Sequence, residues 1–397
     1  MSLDTFRAKY EDFIISTRRY LHENPEIAFE EKQTCALILK EVEACGLSYE
    51  RVGNYGIIAV LDGTEQNGAQ RTIALRADMD ALPIQEDPNN LKGPKTCCSK
   101  VPNAGHLCGH DAHVAMMLAV MKELSASRNF SGRILFCFEP AEENGRGVWD
   151  VLKALEKYHV DCAYAVHVWP SLNAGQISVE AGPRMAGVGA FEYTIVGKAT
   201  HGAMPHKGLD PILCACDIIT QLNMIIARDR SAIEPMSLTV GHIEGGTSRN
   251  SIPDEASFGG TMRFFNRERG EFAYGRLKEI VSHIAAAHRC EAKHTFEYLS
   301  YPLVNDAGMS AIVTEALSKN IGPQCLGSIE MQSGSDPFTN YIRMCGGKGM
   351  MAMVGIGNES LGCGEVNHNP KWDIDESALA FGAYSTLQAV LALLAQF

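Results

Sequence analysis

The run AGHLCGHDAHVAM, Ala104 to Met116, crowds His106, Cys108, His110, Asp111 and His113 just ahead of an apolar, helix-forming stretch. Cys108 and His110 stand two apart on a glycine-containing segment. A thiolate and an imidazole are ligands a zinc-type cation takes, and a catalytic cation keeps few protein ligands so that water can occupy an open position. A buried structural thiol beside a locally bonded histidine would give the same letters. His106 and His113 read as outer partners, or as polar residues near a helix N-terminus. Farther on, FCFEPAEENGRG sets Glu139, Glu142 and Glu143 after an apolar strand. Adjacent side chains diverge, so one of Glu142 and Glu143 could bind a cation while the other reaches the water on it. Taken alone the stretch would be a solvated acidic turn. His167 in AVHVWP and His368 in VNHNPKWDID are single histidines, each commonplace by itself.

The elements that would position these residues alternate between strand and helix. TCALILKEVEACG reads as a helix stopped at Gly46. YGIIAVLDG and RTIALRADMDALP read as strands, the second ending near Asp80, and HVAMMLAVMKELSAS has the apolar period of a helix. GRILFCFEP and CAYAVHVWP are short, nearly continuous apolar strands of the buried type. This order predicts an α/β fold with a mostly parallel central sheet. Sites in such sheets gather at the carboxyl ends of strands, where Asp78 and Asp80, Glu142 and Glu143, and His167 all fall.

Past Gly182-Pro183 the texture changes. Two helices and four strands, GAFEYTIVGK, MSLTVGHIEGG, EASFGGTMRFF and EAKHTFEYL, follow in a β-α-β-β-α-β order, the ferredoxin-like arrangement of an α+β unit. The first texture then resumes and closes with a helix ending in LLAQF. The expected organisation is a discontinuous domain, residues 1–184 and 299–397, interrupted by an inserted unit at 185–298. A length of 397 residues suits two domains.

Composition narrows the function classes. A net charge of −12 argues against a nucleic-acid surface. The charged N-terminal stretch, with Phe6, Tyr10, Phe13, Ile14 and Thr17 at helical spacing, does not read as a signal peptide, and no apolar run reads as long enough to cross a bilayer. The 13 scattered cysteines, without a C-x-x-C pair, fit reduced thiols in a cytosolic protein. Cys214 and Cys216 read as idle thiols on a helix. A complete G-x-G-x-x-G, a Walker A loop, G-x-S-x-G and H-E-x-x-H are all missing.

In combination the motifs resemble a known family. RRYLHENPEIAFEE, RADMDALPIQE, CGHDAHVAM, PAEE, GKATHGAMPHKGLDP, GGTSRNSIPDEA, GTMR and NHNPKWDIDE occur in the order of the M20 metallopeptidases, and most resemble the amidohydrolase branch that includes hippurate hydrolases and auxin-conjugate hydrolases. The resemblance implies a catalytic α/β domain with an inserted ferredoxin-like lid and dimerisation domain. It makes Cys108, His110, Glu143, His167 and His368 the ligands of two divalent metal ions (Zn, Mn, Ni or Co), with Cys108 between them. Glu142 becomes the base, and Asp80 a carboxylate orienting a ligand histidine. Metal coordination would lower the pKa of water to about 7, and Glu142 would carry its proton to the leaving nitrogen. His201 would steady the oxyanion, supplied by the lid and commonly from the partner subunit, with His206 a weaker candidate. Asn250 and Arg263 match positions that hold a substrate carboxylate, although ordinary strand-end polarity suits Asn250 as well.

The implied protein is a cytosolic homodimer that hydrolyses N-acyl amino acids and needs neither nucleic acid nor membrane. The alternatives are a dipeptidase or carboxypeptidase of the same fold, and a non-catalytic metal-binding protein, against which the retained Glu142 argues. Two departures bear on specificity. Glu139 stands where the family often has Gln, and GSDPFTNY, Gly334 to Tyr341, replaces a region often written G-S-E-D-F. That segment is expected to line the substrate pocket.

Overall fold

The computed structural model describes residues 1–66, 68 and 70–396. The chain divides into two compact units: Met1–Gly182 with Val304–Glu330 and Asp336–Phe397, and Pro183–Leu303 with Met331–Ser335.

In the first unit, helix α1 (Leu3–Glu23) starts at Ser2, whose Oγ accepts the Thr5 N–H at 3.2 Å. Phe6, Tyr10, Ile14, Thr17 and Leu21 form its buried stripe. Helix α2 (Lys32–Ala44) stops before Gly46, which turns left-handed at φ 64°. Seven strands build one sheet: β1 (Ser48–Val52), β2 (Gly56–Asp62), β3 (Thr72–Asp78), β4 (Arg133–Glu139), β5 (Cys162–Asn173), β6 (Ile177–Ser178) and the late strand Gly349–Gly357. Their order is β1-β2-β4-β3-β5, then Gly349–Gly357, then β6. The central four, β4, β3, β5 and Gly349–Gly357, are parallel. Antiparallel pairing is confined to the edge strands β1, β2 and β6. The mainly parallel centre follows from the apolar runs ILFCF and MMAMVGI, which need cover on both faces.

Helix α3 (His110–Ala126) packs on β3 to β5 and against both α1 and the C-terminal helix Ser377–Gln396, so it is buried on nearly all sides. It begins at His110, earlier than the apolar period alone suggests. Gly109, at its N-cap, has φ 87°, and a Cβ there would stand 2.2 Å from Val168 Cγ2. Only glycine fits between the two candidate ligands Cys108 and His110.

The second unit holds a four-stranded antiparallel sheet in the order Met236–Gly245, Glu255–Phe264, Gly187–Val196, Glu291–Leu299. Helices Pro211–Met224 and Arg267–Ala287 supply its core with Cys214, Ile218, Leu222, Leu277 and Val281.

One sequence expectation is corrected. Two helices, Pro211–Asp229 and Ser377–Gln396, are long and apolar enough to cross a membrane by length and composition. The C-terminal one owes its hydropathy to the core, in which most of its residues are buried, whereas the other is buried mainly along one stripe. All thirteen cysteines are free thiols; Cys214 is buried and Cys216 exposed.

Polar groups are buried where α1 meets α3. Arg18 Nε lies 2.9 Å from Asp111, and His22 bridges Asp111 at 2.8 Å and Glu86 at 3.0 Å. Lys95 Nζ and the Ser99 N–H also reach Glu86, at 2.8 and 2.6 Å. Burial alone would raise the Glu86 carboxyl, but His22, Lys95 and Ser99 outweigh it and bring it down to about 2. A depressed carboxyl stabilises the fold above its unfolded pKa of about 4.5, and the contribution disappears as pH falls toward about 2. Glu86→Gln should therefore cost about 3–5 kcal/mol at pH 7. Urea denaturation should show the gap between wild type and variant closing from pH 4.5 to pH 2; a pH-independent gap would count against the charge pairing.

Candidate metal and catalytic centre

The candidate residues of the first unit meet beyond the carboxyl ends of β3 and β4, at the N-terminus of α3, and at His167, which lies midway along β5 rather than closing its strand as the sequence suggests. Cys108 Sγ is 3.5 Å from His167 Nε2. His110 Nε2 lies 3.7 Å from Glu143 Oε1 and 3.7 Å from Glu142 Oε2, and His368 Nε2 is 3.5 Å from Glu143 Oε1. Donor atoms bound to one cation at about 2.0–2.3 Å sit roughly 3–4 Å apart, so these spacings suit shared cations. Four overlapping groups among the described residues, Cys108–His110–His167, Asp78–His110–His113, Cys108–Glu143–His368 and His110–Glu142–Glu143, are compact enough to hold metal ions. His110 Nε2 and Glu143 Oε1 are buried without a hydrogen-bond partner among the described residues. Such orphaned polar atoms are costly unless something else satisfies them. Thiolate, imidazole and carboxylate together are the donor set of a transition-metal site, and the residues fit one.

Each side chain is held from behind. His167 Nδ1 donates to the Val168 carbonyl at 2.8 Å, which leaves Nε2 with its lone pair toward Cys108. His110 Nδ1 is 3.4 Å from Asp80 Oδ1. The same Asp80 accepts the Glu142 N–H at 2.9 Å and the Glu143 N–H at 3.1 Å, so it orients the backbone of both glutamates as well as the imidazole. His368 sits in a left-handed turn, φ 69°, tied by its N–H to the Leu107 carbonyl at 2.8 Å. Gly147 closes the PAEENGRG turn, where a Cβ would strike the Pro140 carbonyl oxygen at 1.6 Å.

Beneath the cluster lies Arg76, 1% exposed. Its guanidinium donates to Asp78 at 2.6 Å, Glu139 at 2.9 Å and Asp336 at 3.4 Å, and is 4.0 Å from Glu142. One guanidinium cannot offset so many acids. Burial, then Asp336 and Glu143, push Glu142 well above the usual carboxylate range against the pull of His110 and Arg76. Burial raises Glu139 and Asp336 as well. Burial would lower His110, but Asp78, Asp80 and Cys108 overcome it and hold the imidazole well above its ordinary value. Burial drives the Cys108 thiol up and, with His113, the His167 imidazole down. Surplus negative charge in a buried pocket favours a cation.

Sequence reasoning missed Arg76 and gave His113 and Asp336 no definite task. Arg76 and Asp78 are two apart on a strand and share a face, a signal that was available. His113 Nε2 accepts the Val168 N–H at 2.9 Å, so its ring proton is on Nδ1 and donates to Asp78 at 2.6 Å. A relay thus runs from Arg76 through Asp78 and His113 to the peptide that carries His167. Asn367 was also missed; its amide reaches Cys108 Sγ at 3.7 Å and Trp372 Nε1 donates to it at 3.0 Å. Asp336, from the segment Gly334 to Tyr341, is buried against Arg76. His106 is buried with both ring nitrogens unpartnered among the described residues, and burial lowers its pKa to about 4.

His201, Asn250 and Arg263 belong to the second unit. His201 pairs with Ser251 in a short two-stranded ladder, and its Nδ1 accepts the Ala203 N–H at 3.1 Å. The Asn250 carbonyl accepts the Gly202 N–H at 2.8 Å, which brings it beside His201. Arg263, on Glu255–Phe264, is partly buried, and burial lowers its guanidinium pKa. His206 is exposed on the short turn Pro205–Lys207.

The sequence pattern of peptidase family M20/M25/M40 matches residues 74–392. The chain is 33% identical over 390 residues to an IAA-amino acid hydrolase of Arabidopsis thaliana, covering 95% of this chain and 84% of that one. It is 33% identical to thermostable carboxypeptidase 2 of Saccharolobus solfataricus, covering 96% and 95%. The crystal structure of a Bacillus subtilis dinuclear metal-binding peptidase of the M20 family is similar with a TM-score of 0.82 and 30% identity, covering 98% of this chain and 99% of that one.

If the His113 relay fixes His167, His113→Ala should lower stability by about 1–3 kcal/mol through the Val168 N–H and Asp78 Oδ1 that lose their partner. It should also weaken Zn²⁺ binding about 10–100-fold, as read by chelator competition. Unchanged Zn²⁺ affinity in a folded variant would remove His113 from the relay.

Proposed function

The chain belongs to peptidase family M20/M25/M40, and on that premise we propose that it is a metal-dependent amidohydrolase cleaving N-acyl amino acids to a carboxylic acid and a free amino acid. The observation that carries this reading is the Glu142 carboxyl, 3.7 Å from His110 Nε2 and next to Glu143. Binding a cation needs no spare acid there, whereas hydrolysis needs a group that moves a proton.

Cys108, His110, Glu143, His167 and His368 would hold two divalent cations, Zn, Mn, Ni or Co, with Cys108 shared. Bound there, the cations supply Lewis acidity, which lowers the pKa of water to about 7 and polarises a carbonyl. Glu142 then accepts a proton at its carboxylate and returns it to the leaving nitrogen, so the amine departs neutral. Asp80 keeps this geometry by holding the Glu142 and Glu143 peptides and facing His110.

We assign His201 as a donor to the tetrahedral oxyanion, and Arg263 with Asn250 as the clamp for the substrate carboxylate. The lowered guanidinium pKa of partly buried Arg263 supports an anionic ligand. The second unit has the strand order of a ferredoxin-like fold, and we read it as a lid and dimerisation domain. Thirteen free thiols favour a reducing compartment, taken here as the cytosol.

A carboxypeptidase reading shares this chemistry, because removing a C-terminal residue also breaks the amide next to a free carboxylate. It is the second reading, supported by the likeness to an archaeal carboxypeptidase. A dipeptidase would need a group for the substrate ammonium, which the assigned residues do not include.

The test is a panel of N-acyl amino acids, blocked peptides and dipeptides, incubated with Mn²⁺, Zn²⁺, Co²⁺ or Ni²⁺, with released amines measured by mass spectrometry. Acyl amino acids should turn over fastest, and Glu142→Gln should lower kcat about 10²–10⁴-fold at unchanged metal content. Silence across the panel would leave a binding protein, and metal loss in the variant would make Glu142 a ligand.

A further inference from the structure

Glu31 is a fully buried acid far in sequence from the centre. It is the N-cap residue of α2, where an acid would ordinarily cap its own helix, yet its side chain makes no capping bond. Glu26 does that work instead, accepting the Gln33 N–H at 2.8 Å and the Thr34 N–H at 2.9 Å. The Glu31 carboxylate is thereby left for another task. Its Oε1 accepts the N–H of Ala141 at 2.7 Å.

Ala141 immediately precedes Glu142 and is left-handed, φ 53°. A non-glycine residue pays about 1–2 kcal/mol for that conformation, so surrounding groups must hold it there. The next two peptide N–H groups, of Glu142 and Glu143, are taken by Asp80. Three consecutive amides of the turn after β4 are therefore fixed by two carboxylates, and only one of these, Asp80, also faces a candidate ligand. Burial pushes the Glu31 carboxyl up to about 7, against the lowering effect of the backbone N–H groups of Glu31, Ala141 and Phe29. A buried acid held by backbone N–H groups is a liability to stability, and its geometry offers one return: a rigid turn.

We propose that Glu31 is a positioning residue of the centre, pinning the Ala141 peptide so that Glu142 and Glu143 diverge correctly. This rests on the proposed roles of those two glutamates. Glu31 itself touches neither substrate nor reacting atoms.

The test compares Glu31→Leu, which keeps bulk but removes the acceptor, with Glu31→Gln, which keeps an acceptor oxygen at the same reach. Zn²⁺ affinity is read by chelator competition on the full chain, kcat and KM on the best substrate of the panel, and folding by urea denaturation. Glu31→Leu should weaken Zn²⁺ binding about 10–100-fold and lower kcat more than it raises KM, while remaining folded. Glu31→Gln should stay within about threefold of wild type in both readouts, since it preserves the bond that second-layer contacts of this kind depend on. If Glu31→Leu does not fold, Glu31→Asp, one methylene too short, makes the same comparison. Wild-type Zn²⁺ affinity and kcat in a folded Glu31→Leu, or equal damage in Glu31→Gln, would overturn the proposal. Because Zn²⁺ affinity needs no turnover, a loss of affinity in Glu31→Leu with a catalytically silent wild type would fault the functional reading and leave the positioning role standing.

Discussion

A guanidinium buried to 1% exposure beneath a cluster of acids is the interaction on which the centre depends. Charges leave water only when paired, and stripping one partner from such a group costs about 3–5 kcal/mol. Arg76 is paired with Asp78, Glu139 and Asp336 and comes within 4.0 Å of Glu142. It lets the carboxyl ends of β3 and β4 carry acids side by side, since the parallel register sets Asp78 directly opposite Glu139. The remaining negative charge is what draws cations to the histidines above. Glu139, which replaces a frequent Gln in the resembling family, is absorbed by this pairing.

The acids outside the candidate ligand set fix backbone. Asp80 holds two peptides and Asp78 holds the ring that holds a third. The candidate ligands and base sit on or beside restricted backbone: Gly109 at φ 87° between Cys108 and His110, Ala141 at φ 53° before Glu142, and His368 at φ 69°. Left-handed residues cost about 1–2 kcal/mol each unless they are glycine, and they persist where surrounding bonds determine them. The centre is therefore preorganised by peptide geometry, with the core helix α3 and the parallel strands as its rigid support.

Much of this was legible in the sequence because strand ends are legible. Apolar runs such as ILFCF and CAYAV mark buried parallel strands; Glu142 and Glu143 fall just past the end of β4, while His167 follows CAYAV within β5. The cluster of Cys108, His110, Glu142, Glu143, His167 and His368 was named on that logic together with motif resemblance. The supporting residues were harder. Arg76 reads as an ordinary charged residue in a strand until its face is compared with that of Asp78, and Asn367 is one polar letter among several in VNHNPKW. Nothing in GSDPFTNY announces that Asp336 enters a buried ion pair with Arg76. The apolarity of the closing helix was under-read: Ser377–Gln396 is apolar enough for a bilayer by composition, and its buried residues put that apolarity in the core. Pairings across long chain separations, such as Arg76 with Asp336, are set by the tertiary fold and leave no local period to read.

The central claim is that Cys108, His110, Glu143, His167 and His368 share two cations. The most direct measurement is anomalous diffraction from crystals grown with Zn²⁺, recorded on both sides of the zinc edge. Two peaks are predicted, each within about 2.0–2.3 Å of its ligands, with Cys108 Sγ touching both. A single peak, or peaks remote from Cys108 and His167, would contradict the account.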